Sequence, residues 1–212
     1  MADKCIVFGG GGHAKVLIDV LESQKIELIG YTALQPSSDE LFKNLKFWNE
    51  NELAVSDLEK MTVRLVNGIG AIGDPSLRKK IFERWTADGY TFVSLIHPGS
   101  IVSKHVEIED GVQIMAGAVV QPGCRIGANS IVNTRASIDH DCVIGRHVHL
   151  SPGAVLCGSV IVEDEAHIGA GATIKQNVHI GKGSIVGAGA VVIKDVPSGK
   201  TVVGVPAKEA ST

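Results

Sequence analysis

Aliphatic residues recur at every sixth position across the second half of the chain. Cut into sixes from Ile101, the blocks open IVSKHV, EIEDGV, QIMAGA, VVQPGC and continue through sixteen units to VVIKDV at 191–196. The second residue of each unit is always Val, Ile or Leu, and the sixth is always Ala, Ser, Cys or Val. A helix needs spacings of three and four and a half-buried strand needs two, so neither accommodates a strict six. The unit is instead a short strand plus a turn. One unit cannot bury its own aliphatic residue. Units taken three to a coil and stacked bury one continuous aliphatic column, so sixteen units predict about five coils of a parallel β-helix. Glycines at the third position (Gly127, Gly145, Gly169, Gly181, Gly187) and the fifth (Gly111, Gly117, Gly123) suit corners that need positive φ. The lateral faces of such a stack invite self-association.

The first half follows a different pattern. Residues 4–8, KCIVF, read as a short buried strand, followed by Gly9 to Gly12 and His13. Residues 14–21 carry one apolar helical face, and 26–31 read as a second strand. This is a βαβ unit with a glycine turn at the end of its first strand. Glycine backbones at a helix N-terminus suit an anion such as phosphate. The spacing is not GxGxxG, and Thr32 and Ala33 stand where a dinucleotide fold carries an acid, which disfavours a nicotinamide dehydrogenase. A weaker segment covers 52–58, a third strand is expected over 63–70, a helix over 77–88 after Asp74-Pro75-Ser76, and a fourth strand over 92–96. His97-Pro98-Gly99-Ser100 then turns into the first coil. The organisation expected is a Rossmann-like α/β domain at 1–96 and an all-β helix at 97–212 with a C-terminal tail.

Composition narrows the choices. Aromatics make up 4% of 212 residues while Gly reaches 25, so the interior must be narrow and filled by aliphatics. The net charge is -3 with no basic run, which argues against nucleic acid as a partner. No apolar stretch is long enough for a membrane span, and the N-terminus lacks a secretory pattern, so a cytoplasmic protein is expected. The four cysteines form no CxxC pair, so no metal site is expected and the thiols should be free. Cys124 and Cys142 share the repeat position of Ala118 and Ala136 and read as small buried filler.

Five segments together carry a resemblance: GGGGHAKV at 9–16, NGIG at 67–70, GDPSLRKKI at 73–81, IHPGSIVS at 96–103 and NTRASIDHDC at 133–142. They resemble the nucleotide-sugar N-acetyltransferases of bacterial glycan synthesis, within the hexapeptide-repeat acyltransferases and beside the sialic-acid acetyltransferase group. The resemblance implies a left-handed β-helix, against the usual right-handed crossover. It also implies a homotrimer, with acetyl-CoA as co-substrate in the groove between neighbouring β-helices. The acceptor it implies is a UDP-, dTDP- or GDP-linked 4-amino-4,6-dideoxy sugar.

Acetylating an amine needs a base near neutral pKa, and an adjacent carboxylate orients and strengthens a histidine in that role. Block SIDHDC supplies His140 between Asp139 and Asp141. The resemblance makes His140 the base and Asp141 its partner. It places His149 on coenzyme A, with backbone contacts from Gly158, Ala170 and Ala188, and Lys208 of the tail near a phosphate. For the nucleotide sugar it points to Gly10, Gly11, Gly12, Thr32 and Gly70, with His13 directed at the sugar or capping its helix. Asn133 is placed against the sugar near His140. His147, His167 and His179 read as surface residues, and His97 and His105 as structural. Cys142 should point inward, so direct attack without an acyl-enzyme is expected. Three alternatives stay open: sugar O-acetylation, serine O-acetylation, and a scaffold or nucleotide-sugar sensor without turnover.

Overall fold

A computed structural model describes residues 4–50 and 63–210; the weak segment expected at 52–58 lies outside the described residues. The N-terminal part contains β1 (Lys4–Phe8), α1 (Gly12–Ser23), β2 (Glu27–Ala33), β3 (Lys46–Asn49), β4 (Val63–Asn67) and α2 (Ser76–Ala87). The strands form one parallel sheet in the order β3-β2-β1-β4. β1 is central and apolar on both faces, as a parallel strand covered on both sides should be. Ala14, Leu17, Ile18 and Leu21 of α1 cover one face; Phe82 and Trp85 of α2 cover the other, with Phe8, Leu65 and Phe92. The fourth strand expected at 92–96 divides in two. Phe92 bridges to Leu65 of the sheet, whereas β5 (Leu95–Ile96) pairs with Gln113–Ile114 and already belongs to the solenoid.

Beyond it, every hexad forms a two-residue strand, and those from Ile101 to Thr173 each pair in parallel with the strand eighteen residues on, as Ile131 does with His149. The result is a parallel β-solenoid with three faces. Face one runs from β5 through Gln113–Ile114, Ile131–Val132, His149–Leu150, His167–Ile168 and Ile185–Val186 to Thr201–Val203. Face two holds Ser137–Ile138 and Val155–Leu156, and face three holds Val143–Ile144 and Ile161–Val162. The second-position aliphatics, from Ile114 to Val192, and the small sixth-position residues form the buried column.

The two glycine positions serve different ends. From Gly111 to Gly189 the fifth position is left-handed whichever residue occupies it: Gly123 at φ +78°, Asn129 at 59°, Arg135 at 57° and Asp141 at 59°. Coil geometry thus overrides the cost of about 1 kcal/mol that a side chain incurs there. The third-position glycines do not have positive φ, contrary to expectation. They are needed for close stacking: a Cβ on Gly127 would lie 2.6 Å from the carbonyl carbon of Gly145.

The N-terminal part packs on face one. Met115 lies in the α1-side core, and Ala128 in the α2-side core, so both halves share packing with the solenoid.

Candidate active site

His140 and Asp141 occupy the corner between faces two and three. The left-handed turn at Asp141 brings its Oδ2 to 2.8 Å from His140 Nδ1, while Asp139 Oδ1 accepts the His140 backbone N–H at 2.8 Å. Asp141 itself sits over Gly123, one coil below, where a Cβ would meet its Oδ1. The hydrogen bond His140 donates to Asp141, then the charge of Asp139, raise the His140 pKa above its ordinary value. With Nδ1 donating to a carboxylate, neutral His140 presents a bare Nε2. One coil above, Gly158 faces that ring, and a Cβ there would lie 2.7 Å from both Cε1 and Nε2. Among the described residues nothing accepts the Gly158 N–H. The base and an unpaired backbone donor therefore stand on neighbouring coils in contact with each other. Further along the same corner is an open groove of about 430 Å³ bordered by Lys175, Gln176, Asn177 and Lys194.

A second constellation lies where the N-terminal part meets face one. His13 does not cap its helix: the cap is Gly11, and His13 Nε2 reaches Gln113 Oε1 at 2.8 Å. Gln113 Nε2 donates to the Asn67 carbonyl, so Oε1 must accept, and His13 carries its proton on Nε2. Burial, then the Arg78 charge, pull His13 down to about 4. His149 is buried; its Nδ1 meets the Ala71 carbonyl at 2.8 Å and its Nε2 meets Asn133 Nδ2 at 3.1 Å. Burial lowers it to about 4 as well. His147 and His167 are corrections to the surface placement expected of them. His147 is 3% and His167 8% exposed, because the N-terminal part covers face one, where His167 stands, and the corner beside it, where His147 stands against Phe82. His147 Nδ1 takes a hydrogen bond from Asn129, and His167 Nδ1 donates to Ala71. His179 is exposed, paired with Glu163.

Residues 4–85 match the PglD N-terminal domain family, and four overlapping stretches between 105 and 194 match the bacterial transferase hexapeptide (six repeats) family. The acetyltransferase domain of PglB from Neisseria gonorrhoeae FA1090 is 33% identical, covers 98% of this chain and 100% of its own, and superposes with a TM-score of 0.90. PerB from Caulobacter crescentus, solved in complex with CoA and GDP-perosamine, is 35% identical over 98% of this chain and 97% of its own, with a TM-score of 0.88. The chain belongs to the nucleotide-sugar N-acetyltransferases of the hexapeptide-repeat class. A UDP-N-acetylbacillosamine N-acetyltransferase of Bacillus subtilis (strain 168) is 39% identical over 114 residues, an alignment spanning 52% of this chain and 50% of that protein.

In this family member the expected site residues fall into two groups that one chain does not bring together. His140, Asp141 and Gly158 share the corner between faces two and three. Asn133, Ala170 and Ala188 line the corner between faces one and two, with His149 on face one and Gly10 to His13 and Gly70 above it. Ala170 and Ala188 are exposed, as are Gly11, Gly12 and Gly70. Thr32 is fully buried with no partner for its Oγ1, and its carbonyl accepts the Gly9 N–H, so it shapes the glycine turn from below. Further along the chain, Asp39 pairs with Lys15 of α1 beside the turn. Lys208 is exposed at the end of the tail. No helix among the described residues is long and apolar enough to cross a membrane, and no cluster of three or more His, Cys, Asp or Glu there could hold a metal ion.

Proposed function

We propose that the chain transfers an acetyl group from acetyl-CoA to the 4-amino group of a nucleotide-linked 4-amino-4,6-dideoxy sugar, in a cytoplasmic homotrimer. The observation that carries the reading is the His140–Asp141 pair stacked directly beneath Gly158, whose backbone N–H has no acceptor among the described residues. Direct attack fits this geometry. The sugar nitrogen bonds to the thioester carbon, and the developing oxyanion takes the Gly158 N–H. His140 Nε2 accepts the proton leaving the nitrogen; the C–S bond breaks, and the sulfur leaves as coenzyme A thiol once protonated. Cys142 is fully buried, and its Sγ lies against backbone carbonyls, so no thiol competes as nucleophile. Lys175 and Lys194, two to three coils along the same corner, suit the phosphates of coenzyme A.

The division of the site supports an assembly of more than one copy. Exposed Ile101 and Val155 on face two, and Val143 and Ile161 on face three, flank the His140 corner on both sides. A second copy seated there would bring its own Asn133 corner and nucleotide domain to His140. PerB, bound to CoA and GDP-perosamine, supports the substrate class; the glycine turn beside α1 offers this chain a place for a diphosphate.

His140→Ala tests the reading: thiol release from acetyl-CoA with amino-sugar nucleotides should fall by about 10²–10⁴-fold, while coenzyme A still binds. Full turnover in that variant overturns the base assignment. Faster thiol release with hydroxy-sugars than with amino-sugars would move the activity to O-acetylation. A strictly monomeric chain in sedimentation would overturn the shared site.

A further inference from the structure

Arg78 lies wholly inside the protein beneath the nucleotide-binding face, and among the described residues no carboxylate pairs with it. Nη1 and Nε of its guanidinium are spent on backbone carbonyls, and Nη2 is buried without a partner among the described residues. Nη1 donates to Asn67 and to Ile69, both at 2.8 Å, and Nε donates to Asn129 of the solenoid at 3.0 Å. Burying an unpaired cation is costly, and an apolar side chain of similar volume would commonly stabilise the fold as well or better. What the cation does instead is hold the chain between β4 and α2 against face one.

The consequence appears two residues beyond Ile69. The Ala71 carbonyl receives Nδ1 of His149 at 2.8 Å and Nδ1 of His167 at 3.1 Å. A carbonyl only accepts, so each ring must carry its proton on Nδ1. Neutral His149 then has a lone pair on Nε2, and the contact at 3.1 Å from Asn133 must be a donation from its amide. The other end of that amide agrees: Asn133 Oδ1 accepts the Thr134 N–H at 2.8 Å. One amide hydrogen of Asn133 is thereby used, its orientation is fixed, and its second hydrogen remains for an acceptor on the half-buried corner.

We infer that Arg78 is a positioning residue for acetyl transfer: through the Ala71 carbonyl and the fixed His149 tautomer, it aims the remaining Asn133 N–H at an oxygen of the amino-sugar substrate. This deepens the proposed N-acetyltransferase activity and rests on it. The chain of contacts couples the nucleotide domain to the acetyl-transfer groove through groups that take no part in the chemistry. It also assigns His149 an accepting role at neutral pH, so it does not donate a hydrogen bond to the thioester oxygen.

The experiment labels histidine with nitrogen-15 in the full chain and reads the His149 ring by long-range proton–nitrogen correlation at pH 7.5, with His149→Gln to assign the signals. The wild type should show a protonated Nδ1 and an unprotonated Nε2. A protonated Nε2 on His149 would overturn the inference. In Arg78→Met the His149 signal should become a mixture of tautomers, and kcat should drop by about 10-fold or more with KM for acetyl-CoA held within about twofold. Arg78→Lys keeps the charge and one or two of the bonds, so it should recover part of kcat, and it serves alone should the methionine variant fail to fold. Asn133→Ala should lower kcat to a similar extent yet leave the His149 tautomer as in the wild type. A folded Arg78 variant with unchanged tautomer and unchanged kcat overturns the inference. Because the spectrum is read without substrate, the expected tautomers in a chain that acetylates no amino sugar would overturn the activity and leave the clamp standing.

Discussion

Gly158→Ala separates stability from catalysis at one atom. The added Cβ would lie 2.7 Å from Cε1 and Nε2 of His140 and 3.3 Å from Nδ1. Relaxed carbon contacts lie at about 3.5–4.0 Å, so ring and methyl must part by about 1 Å. The backbone at 158 is not in the left-handed region, so alanine brings no strain of its own. The coil cannot open easily: Ser159 N–H donates to the His140 carbonyl at 2.9 Å and Asn177 N–H to the Gly158 carbonyl at 3.1 Å. The His140 ring can yield, since its side chain is 60% exposed, but doing so disturbs the 2.8 Å bond to Asp141. A displacement of about 1 Å at the reacting group costs about 10²-fold in rate. The variant should therefore melt close to the wild type while kcat for thiol release falls by that factor. Gly127→Ala is the contrast, because its Cβ meets only backbone, 2.6 Å from the Gly145 carbonyl carbon and 2.8 Å from the Arg146 nitrogen. It should lose about 1–3 kcal/mol of stability. A Gly158→Ala enzyme with wild-type kcat, or one destabilised as much as Gly127→Ala, would refute the placement of the ring.

Asp141→Asn should move the acid limb of kcat/KM to lower pH. His140 works as a neutral base and its pKa is raised chiefly by Asp141, so activity climbs with pH through a value above 6.5 in the wild type and through a lower one in the variant. A limb that stays in place in the pH profile would exclude His140 as the titrating group. Stability should fall on acidification: His13, His147 and His149 are held near 4 by burial, against 6.5 when unfolded. Between those values the unfolded chain binds more protons, so the stability is complete above about pH 6.5 and is lost as pH drops toward 4, by up to roughly 3 kcal/mol per histidine. Equal urea midpoints at pH 7.5 and pH 5 would contradict that. Leu156→Ala, at 1% exposure in the aliphatic column, should cost about 2–5 kcal/mol in urea unfolding, and a loss below 1 kcal/mol would mean the column tolerates a void.

A period of six told which residues enter the column, because that depends only on the coil. It did not tell which outer face would be covered by another part of the chain. His147 holds a corner position of the repeat, and His149 and His167 strand positions, yet the covering domain turns all three into buried, neutral hydrogen-bonding groups. Arg78 had a readable signature: with Phe82 and Trp85 it makes the buried stripe of α2, so a lone cation stands where the spacing calls for an apolar residue. The strand Lys46–Asn49 had none, being four residues long with a lysine and an asparagine at its ends.

The spacing of seven between Asn133 and His140 illustrates why sequence proximity fails in a solenoid. Only residues eighteen apart stack, as His140 does beneath Gly158. A separation near six carries the chain across a whole face to the next corner, so Asn133 and His140 stand on successive corners and point away from each other around the prism. The same arithmetic puts Ala170 and Ala188 above Asn133's corner and Gly158 above His140. In the proposed trimer, a thioester held between an Ala170 edge and a Gly158 edge would lie between two copies of the chain. The base and the nucleotide domain that serves it would then belong to different subunits.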